Sequence, residues 1–120
     1  MLEEIRWKAE REEIFTAFVT CIGALNRGAL GYFDLPSRSY IRKEFTHRME
    51  LVSCTGNIAL RDGKPWPHLH CVVSNGEMLT LAGHLLDAEV FLVEGFFFVL
   101  DQPIHRIPDP ESGLTLWNIS

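Results

Sequence analysis

Three histidines have types and spacing that suit metal binding. His68 and His70 are separated by one residue, and His84 follows a predicted turn. Because side chains alternate between the two faces of a strand, His68 and His70 share one face while Leu69 points to the other. Imidazole is a common ligand of zinc, and it also suits iron, nickel, copper and cobalt. The pattern therefore predicts a divalent-metal site, with zinc as the commonest choice.

The segment between these histidines predicts a β-hairpin. Residues 75–77, Asn-Gly-Glu, form a predicted three-residue loop. If Ser74 pairs with Met78, His68 lies opposite His84, and facing residues share a side of the sheet. All three imidazoles would then lie on one face, whereas a register slip of one residue would turn His84 away.

Three neutral imidazoles leave a fourth coordination position open, as in catalytic zinc sites. A metal held in this way acts as a Lewis acid or lowers the pKa of a bound water to about 7. Glu50, at the start of a predicted strand, is the candidate catalytic acid–base residue, while Arg48 and Glu94 are better explained as solvated strand residues. The residues alone leave the alternative open that the histidines are unrelated polar groups on a half-exposed sheet.

Composition predicts one globular domain spanning residues 1–120. Apolar residues make up 47% and charged residues 22% of the 120 residues, which is close to the globular average. The net charge of -5 argues against nucleic-acid binding, which needs a basic face, although a local patch of Arg38, Arg42 and Lys43 remains.

The termini and the cysteines predict a cytoplasmic protein without a membrane span. The first ten residues are too charged for a signal peptide, and no apolar run reaches the length of about 18 residues that a spanning helix needs. Cys21, Cys54 and Cys71 are an odd, scattered set, which favours reduced thiols buried as small apolar residues.

Propensity and patterning predict an α+β domain, with an N-terminal helix followed by a mainly antiparallel β-sheet. Residues 1–13 are rich in Glu, Arg, Lys, Ala and Leu, which favour helix. Apolar alternation and turn residues divide the rest into strands. We expect strands at 14–23, 25–33, 40–45, 49–60, 68–73, 78–85 and 89–100, followed by an irregular segment closed by 113–117. The segment 25–33 contains a predicted bend at 26–28, and the strand 49–60 contains a candidate bulge at Gly56.

The predicted strand at residues 91–100 is apolar on both faces and must be covered on both sides. In a domain of this size, one cover is either another subunit or the rest of the monomer, if this is its central strand. The sequence leaves these two possibilities open.

Several short motifs together resemble a known family. They are Gly23-Ala24-Leu25, Leu30-Gly31-Tyr32-Phe33-Asp34, Glu50 with Gly56-Asn57-Ile58, Asp62-Gly63-Lys64-Pro65, His68-x-His70, Gly76, Gly83-His84-Leu85 and the closing segment 113–117. Residues 14–117 resemble the plants-and-prokaryotes conserved (PPC) domain in its stand-alone prokaryotic form.

The resemblance implies an α+β fold, a homotrimer, and a zinc ion at His68, His70 and His84. It also implies a distant fold relationship to α-acetolactate decarboxylase, whose zinc is held by three histidines. Plant members carry AT-hook segments that bind DNA, but no Arg-Gly-Arg-Pro core occurs here. The family usually opens with a strand before its first helix, whereas this chain starts almost in the helix, which would leave a sheet edge open or filled by another chain.

Two functions are consistent with these features. The first is a trimeric module of undefined biochemical role that binds a metal or a small-molecule ligand. The alternative is a zinc-dependent lyase or hydrolase that acts on a small oxygenated metabolite, with Glu50 in catalysis. A DNA-binding role would rest on the plant relatives and is disfavoured by the charge.

Overall fold

One helix precedes seven strands in the computed structural model of the protein, which describes residues 1–119. The predicted N-terminal helix and the α+β class are confirmed. Among the described residues, no helix is long and apolar enough to cross a membrane. The elements are α1 (Leu2–Arg11), β1 (Ala17–Asp34), β2 (Ser39–Phe45), β3 (Met49–Arg61), β4 (Lys64–Ser74), β5 (Thr80–Val99), β6 (His105–Pro108) and β7 (Thr115–Asn118).

The strands form a sheet of order β2-β1-β5-β4-β3-β6-β7, in which β1 also pairs with β3. The strands β1, β5, β4 and β3 therefore make a closed ring of hydrogen-bonded neighbours. Pairing is antiparallel except between β3 and β6. Helix α1 packs against β4 and buries Ala9. The largest fully buried apolar side chains are Val19, Leu25, Leu51, Ile58, Leu69, Val73 and Leu85.

The three cysteines lie in this core, as the sequence predicted. All three are buried free thiols on adjacent strands, with the Sγ atoms of Cys54 and Cys71 2.9 Å apart. A hydrogen bond with Cys54, together with burial, raises the pKa of Cys21 well above its ordinary value. The Cys21 thiol is therefore protonated and unreactive, as expected of a core residue.

Two strands are longer than predicted. Residues 17–34 form the single strand β1, and the predicted strands at 78–85 and 89–100 are both part of β5. The bend expected at residues 26–28 is wrong, because the register of β1 against β5 shifts there without a reversal of the chain. Such bulges accommodate extra residues inside one continuous strand.

The predicted register of the β4–β5 hairpin is wrong by two residues. Ser74 pairs with Thr80, so that His70, not His68, faces His84. The loop has five residues, because the Asn75 side chain accepts hydrogen bonds from two backbone N–H groups within it, at 2.9 and 3.1 Å. Its left-handed residue is Met78, with φ 63°, and not Gly76.

The bulge expected at Gly56 is also wrong. The irregularity of β3 against β4 lies between Leu51 and Ser53. Gly56 instead permits a close approach of the two backbones, because a Cβ atom there would lie 1.9 Å from the carbonyl oxygen of His68. This glycine therefore fixes the spacing of the strand pair that carries the histidines.

The second half of β5 is an edge strand and not the centre of the monomer. From residue 85 onward, β5 pairs with β1 on one side, and its other edge has no partner among residues 1–119. Its large apolar side chains are exposed, and Phe96 retains 70% of its accessible surface. The expectation that this is the central strand of the monomer is wrong. The exposed residues are Val90, Phe91, Leu92, Phe96, Phe98 and Val99.

Candidate metal centre

Strand alternation positions two of the histidines. Along β4, Leu69 and Cys71 are buried in the core, while His68 and His70 lie on the outer face, half-buried and exposed respectively. On β5, His84 directly faces His70, and the next residue, Leu85, is buried in the core. The two-residue error in register leaves this arrangement intact, because a shift of two keeps every side chain on its face.

The three imidazoles lie close together. One ring nitrogen from each of His68, His70 and His84 lies within 4.8 Å of the other two. The Nε2 atoms of His68 and His70 are 3.2 Å apart. Nitrogens bound to one tetrahedral zinc at 2.0–2.1 Å are separated by about 3.3 Å, so this pair already has the spacing of shared ligands.

Burial favours the neutral form of two of these rings. It lowers the pKa of His68 to about 4, with additional effects of the positive charge on Arg106 and of the neighbouring histidines. Burial and, second, His70 lower the pKa of His84. The neutral ring is the form that binds a metal. The Nδ1 atom of His84 is also buried without a hydrogen-bond partner in residues 1–119, and coordination would satisfy it. The donor set therefore fits a divalent cation.

Tyr40 supports the site from β2, and sequence analysis missed it. Its ring stacks on the ring of His84 with the centroids 4.7 Å apart, and burial raises its pKa. Gly31 makes room for this contact, because a Cβ atom there would lie 2.8 Å from the Tyr40 ring. No local sequence pattern indicated this stacking.

Asn57 and Arg106 contact the site from the other side. Asn57 faces His68 across the β3–β4 pair. A guanidinium NH2 group of Arg106 donates to Asn57 Oδ1 at 2.6 Å and lies 3.4 Å from Nδ1 of His68. Correct strand register would have identified Asn57. Arg106 arrives by the parallel pairing of β6 with β3, which has no local sequence signal.

The structure does not bring Glu50 to the histidines within one chain, and its catalytic role stays a prediction. Glu50 is exposed and faces Ser74, which lies four residues beyond His70 along β4. At about 3.3 Å per residue, that is roughly 13 Å along the strand. The error in the predicted β4–β5 register is not the cause, since Glu50 lies at one end of the β3–β4 ladder and the histidines lie near its middle.

The other charged and histidine candidates also lie elsewhere. The guanidinium of Arg48 sits over the ring of Phe91, 3.7 Å from its centroid, and Glu94 is exposed on β5. His47 and His105 are exposed and belong to no metal-binding group among the described residues.

Comparison with known proteins identifies the family. The sequence matches the Plants and Prokaryotes Conserved (PCC) domain over residues 1–100. Because this match covers most of the chain, the protein belongs to that family, as its motifs predicted. It has no significant match among curated proteins.

Solved structures of related proteins share the whole fold. A plant- and prokaryote-conserved protein of Pyrococcus horikoshii is 35% identical with a TM-score of 0.93, and the match covers 98% of this chain and 82% of that one. A metal-containing protein of Archaeoglobus fulgidus is 32% identical with a TM-score of 0.90, over 98% and 84% of the two chains. A Ralstonia eutropha protein, for which DNA binding has been suggested, is 28% identical with a TM-score of 0.91, over 100% and 84%.

Proposed function

We propose that this domain is a homotrimeric binding module that holds a divalent metal at His68, His70 and His84 and presents it to a small-molecule ligand. The observation that carries the proposal is the convergence of three imidazole nitrogens within 4.8 Å, two of them 3.2 Å apart. The lowered pKa of His68 and of His84 adds to it, since protons compete weakly for those rings.

Zinc is the metal we expect. Three imidazoles with a fourth position open are typical of zinc centres that exchange an outer ligand, whereas structural zinc is closed by four protein ligands. When bound, the metal would supply Lewis acidity to that ligand. The A. fulgidus relative is described as metal-containing, which supports the presence of a metal without specifying which one.

The exposed apolar edge of β5 supports a trimer. An isolated chain would leave Phe91, Phe96 and Phe98 in water beside unpaired backbone groups. Monomeric proteins rarely expose contiguous apolar surface of this kind, and an exposed strand edge promotes association. A closed assembly of identical chains would cover both the apolar side chains and the open backbone edge of β5.

Metal analysis of protein purified without a histidine tag tests the centre. After loading with zinc and desalting, we expect about one equivalent per wild-type chain and a large loss in His70→Ala. The matched control is His47→Ala, which removes an exposed imidazole outside the cluster and should retain the metal. Wild-type protein with less than about one-tenth of an equivalent after loading with zinc, cobalt or nickel would sink the proposal.

A zinc-dependent lyase or hydrolase is the less supported function. Its candidate acid–base residue, Glu50, faces Ser74 far along the strand pair from the histidines. No other carboxylate joins the histidine cluster in the described part of the chain. Without an acid–base residue beside the histidines, the site is better suited to ligand binding than to catalysis.

DNA binding is also less supported, although it has been suggested for the R. eutropha relative. The net charge is -5. Within the basic patch, Arg42 pairs with Glu44 at 2.9 Å, and Arg38 donates to the Pro110 carbonyl at 3.1 Å. The Glu44 carboxylate offsets the charge of Arg42, and the contact with Pro110 occupies one donor of Arg38 that a phosphate would need.

A further inference from the structure

Arg106 lies beside the histidine cluster but is not one of the proposed ligands. Besides its contacts with Asn57 and His68, its NH1 group donates to the carbonyl oxygen of Thr115 at 3.1 Å. These contacts hold the guanidinium against the outer face of the β3–β4 pair. The group is therefore fixed in place next to His68.

This guanidinium has no carboxylate counter-ion in the part of the chain that the structure describes. Arg106 is half-buried and forms no ion pair with a carboxylate of residues 1–119, and its Nε atom is buried without a hydrogen-bond partner. A half-buried cation without an anion is costly, and a bound anion would relieve that cost.

The carboxylates that follow His84 on β5 are engaged elsewhere. Asp87 and Glu89, on β5, both pair with Arg27, at 3.2 and 3.1 Å. On the strand next to Arg106, the residue in register with it is Arg61, a second cation. Together with a divalent metal on the imidazoles, Arg106 makes a locally positive site in an acidic protein.

We infer that the histidine centre and Arg106 together bind a small molecule that carries an oxyanion, either a carboxylate or a phosphate. The planar guanidinium matches both groups through charge-assisted hydrogen bonds. The ligand would occupy the open position of the metal and also accept hydrogen bonds from the guanidinium of Arg106, which has no carboxylate partner among residues 1–119. This inference rests on the proposed metal centre.

Titration of cobalt-loaded protein with acetate, glycolate and inorganic phosphate tests it. Metal content is measured first for every variant, and binding is followed by the visible absorption of Co²⁺ and by calorimetry. We expect Arg106→Gln to bind metal like the wild type but to raise the Kd of the preferred anion about tenfold or more, as expected for the loss of a charged hydrogen bond. Arg106→Lys should recover part of the affinity, because it restores the charge without the fork.

Arg61→Gln is the matched control, because it removes a neighbouring guanidinium that stacks on Trp66 at 4.4 Å. It should change the Kd less than about threefold, as expected for loss of a screened charge. The comparison of carboxylates with phosphate identifies the oxyanion.

Three results would overturn the inference. They are the same anion Kd in the wild type and in metal-loaded Arg106→Gln, an equal loss in Arg61→Gln, and no binding of any probe at millimolar concentration. Each of these leaves the metal centre standing. Absence of metal from the wild type would instead overturn both proposals. If Arg106→Gln loses the metal or fails to fold, the anion Kd of metal-loaded Arg106→Lys is compared with that of the wild type. Equal values would then overturn the inference.

Discussion

The chemistry at the level of single residues depends on where each histidine lies between core and solvent. His68 and His84 are half-buried, and burial is the main reason that their pKa values are lowered. His70, in contrast, is exposed to solvent. His68 and His84 therefore provide ring nitrogens that are free of protons near neutral pH, beside a surface that a metal and its ligand can reach.

The lowered pKa of His68 predicts acid destabilisation of the metal-free protein. The folded-state pKa, about 4, lies below the ordinary value of 6.5, so the unfolded chain takes up this proton first. Above about pH 6.5 the ring is neutral in both the folded and the unfolded state and does not lower stability. The free energy of unfolding decreases as the pH falls from there toward 4. We expect the urea midpoint of chelator-treated wild type to fall more over this range than that of His68→Gln.

His47→Gln controls for the loss of an exposed imidazole and should behave like the wild type. The measurement is urea unfolding followed by circular dichroism at several pH values. Parallel pH profiles for the wild type and His68→Gln would contradict the assignment of the shift to His68.

At the level of the elements, period-two alternation made the site predictable. It placed Leu69 inward and both neighbouring histidines outward, and this survived a hairpin register that was wrong by two residues. The register itself was not predictable, because it depends on how the Asn75 side chain closes a five-residue loop. Arg106 was not predictable either, since it reaches the site through pairing of β6 with a strand more than 40 residues earlier in the chain.

Gly56 gives a test of the strand pair that carries the histidines. A Cβ atom at this position would overlap the carbonyl oxygen of His68, which belongs to the backbone and can move only with β4. We expect Gly56→Ala to lower the free energy of unfolding by about 2 kcal/mol or more and to weaken metal binding. Urea denaturation and metal titration measure the two effects.

Gly76→Ala is the matched control for this substitution. A Cβ atom at Gly76 meets nothing within 4 Å, and its φ is not in the left-handed region. The change in stability should stay within about 0.5 kcal/mol. If Gly56→Ala is as stable as this control, the two backbones are not held as closely as the structure indicates.

At the level of the whole molecule, one strand carries much of the exposed apolar surface. The N-terminal helix carries Glu3, Glu4 and Lys8 toward solvent, while the far half of β5 exposes a nearly continuous apolar strip. Phe18 from β1 extends this strip, since its ring lies 5.9 Å from that of Phe98. The sequence predicted that this strand needs a second cover, but it could not tell that the monomer leaves it at an edge.

The proposed trimer predicts a mass of about three times the 13.7 kDa chain in solution. Phe96 is 70% exposed, so Phe96→Glu should cost the monomer little but place a charge in the covered surface. We expect this variant to remain folded by circular dichroism and to sediment as a monomer. Trp7→Glu is the control, because Trp7 is 59% exposed on a helix face among charged residues and should leave the trimer intact. A monomeric wild type at micromolar concentration would contradict the trimer. A trimeric Phe96→Glu would contradict its placement at the β5 edge, because burying an unpaired glutamate in the interface is costly.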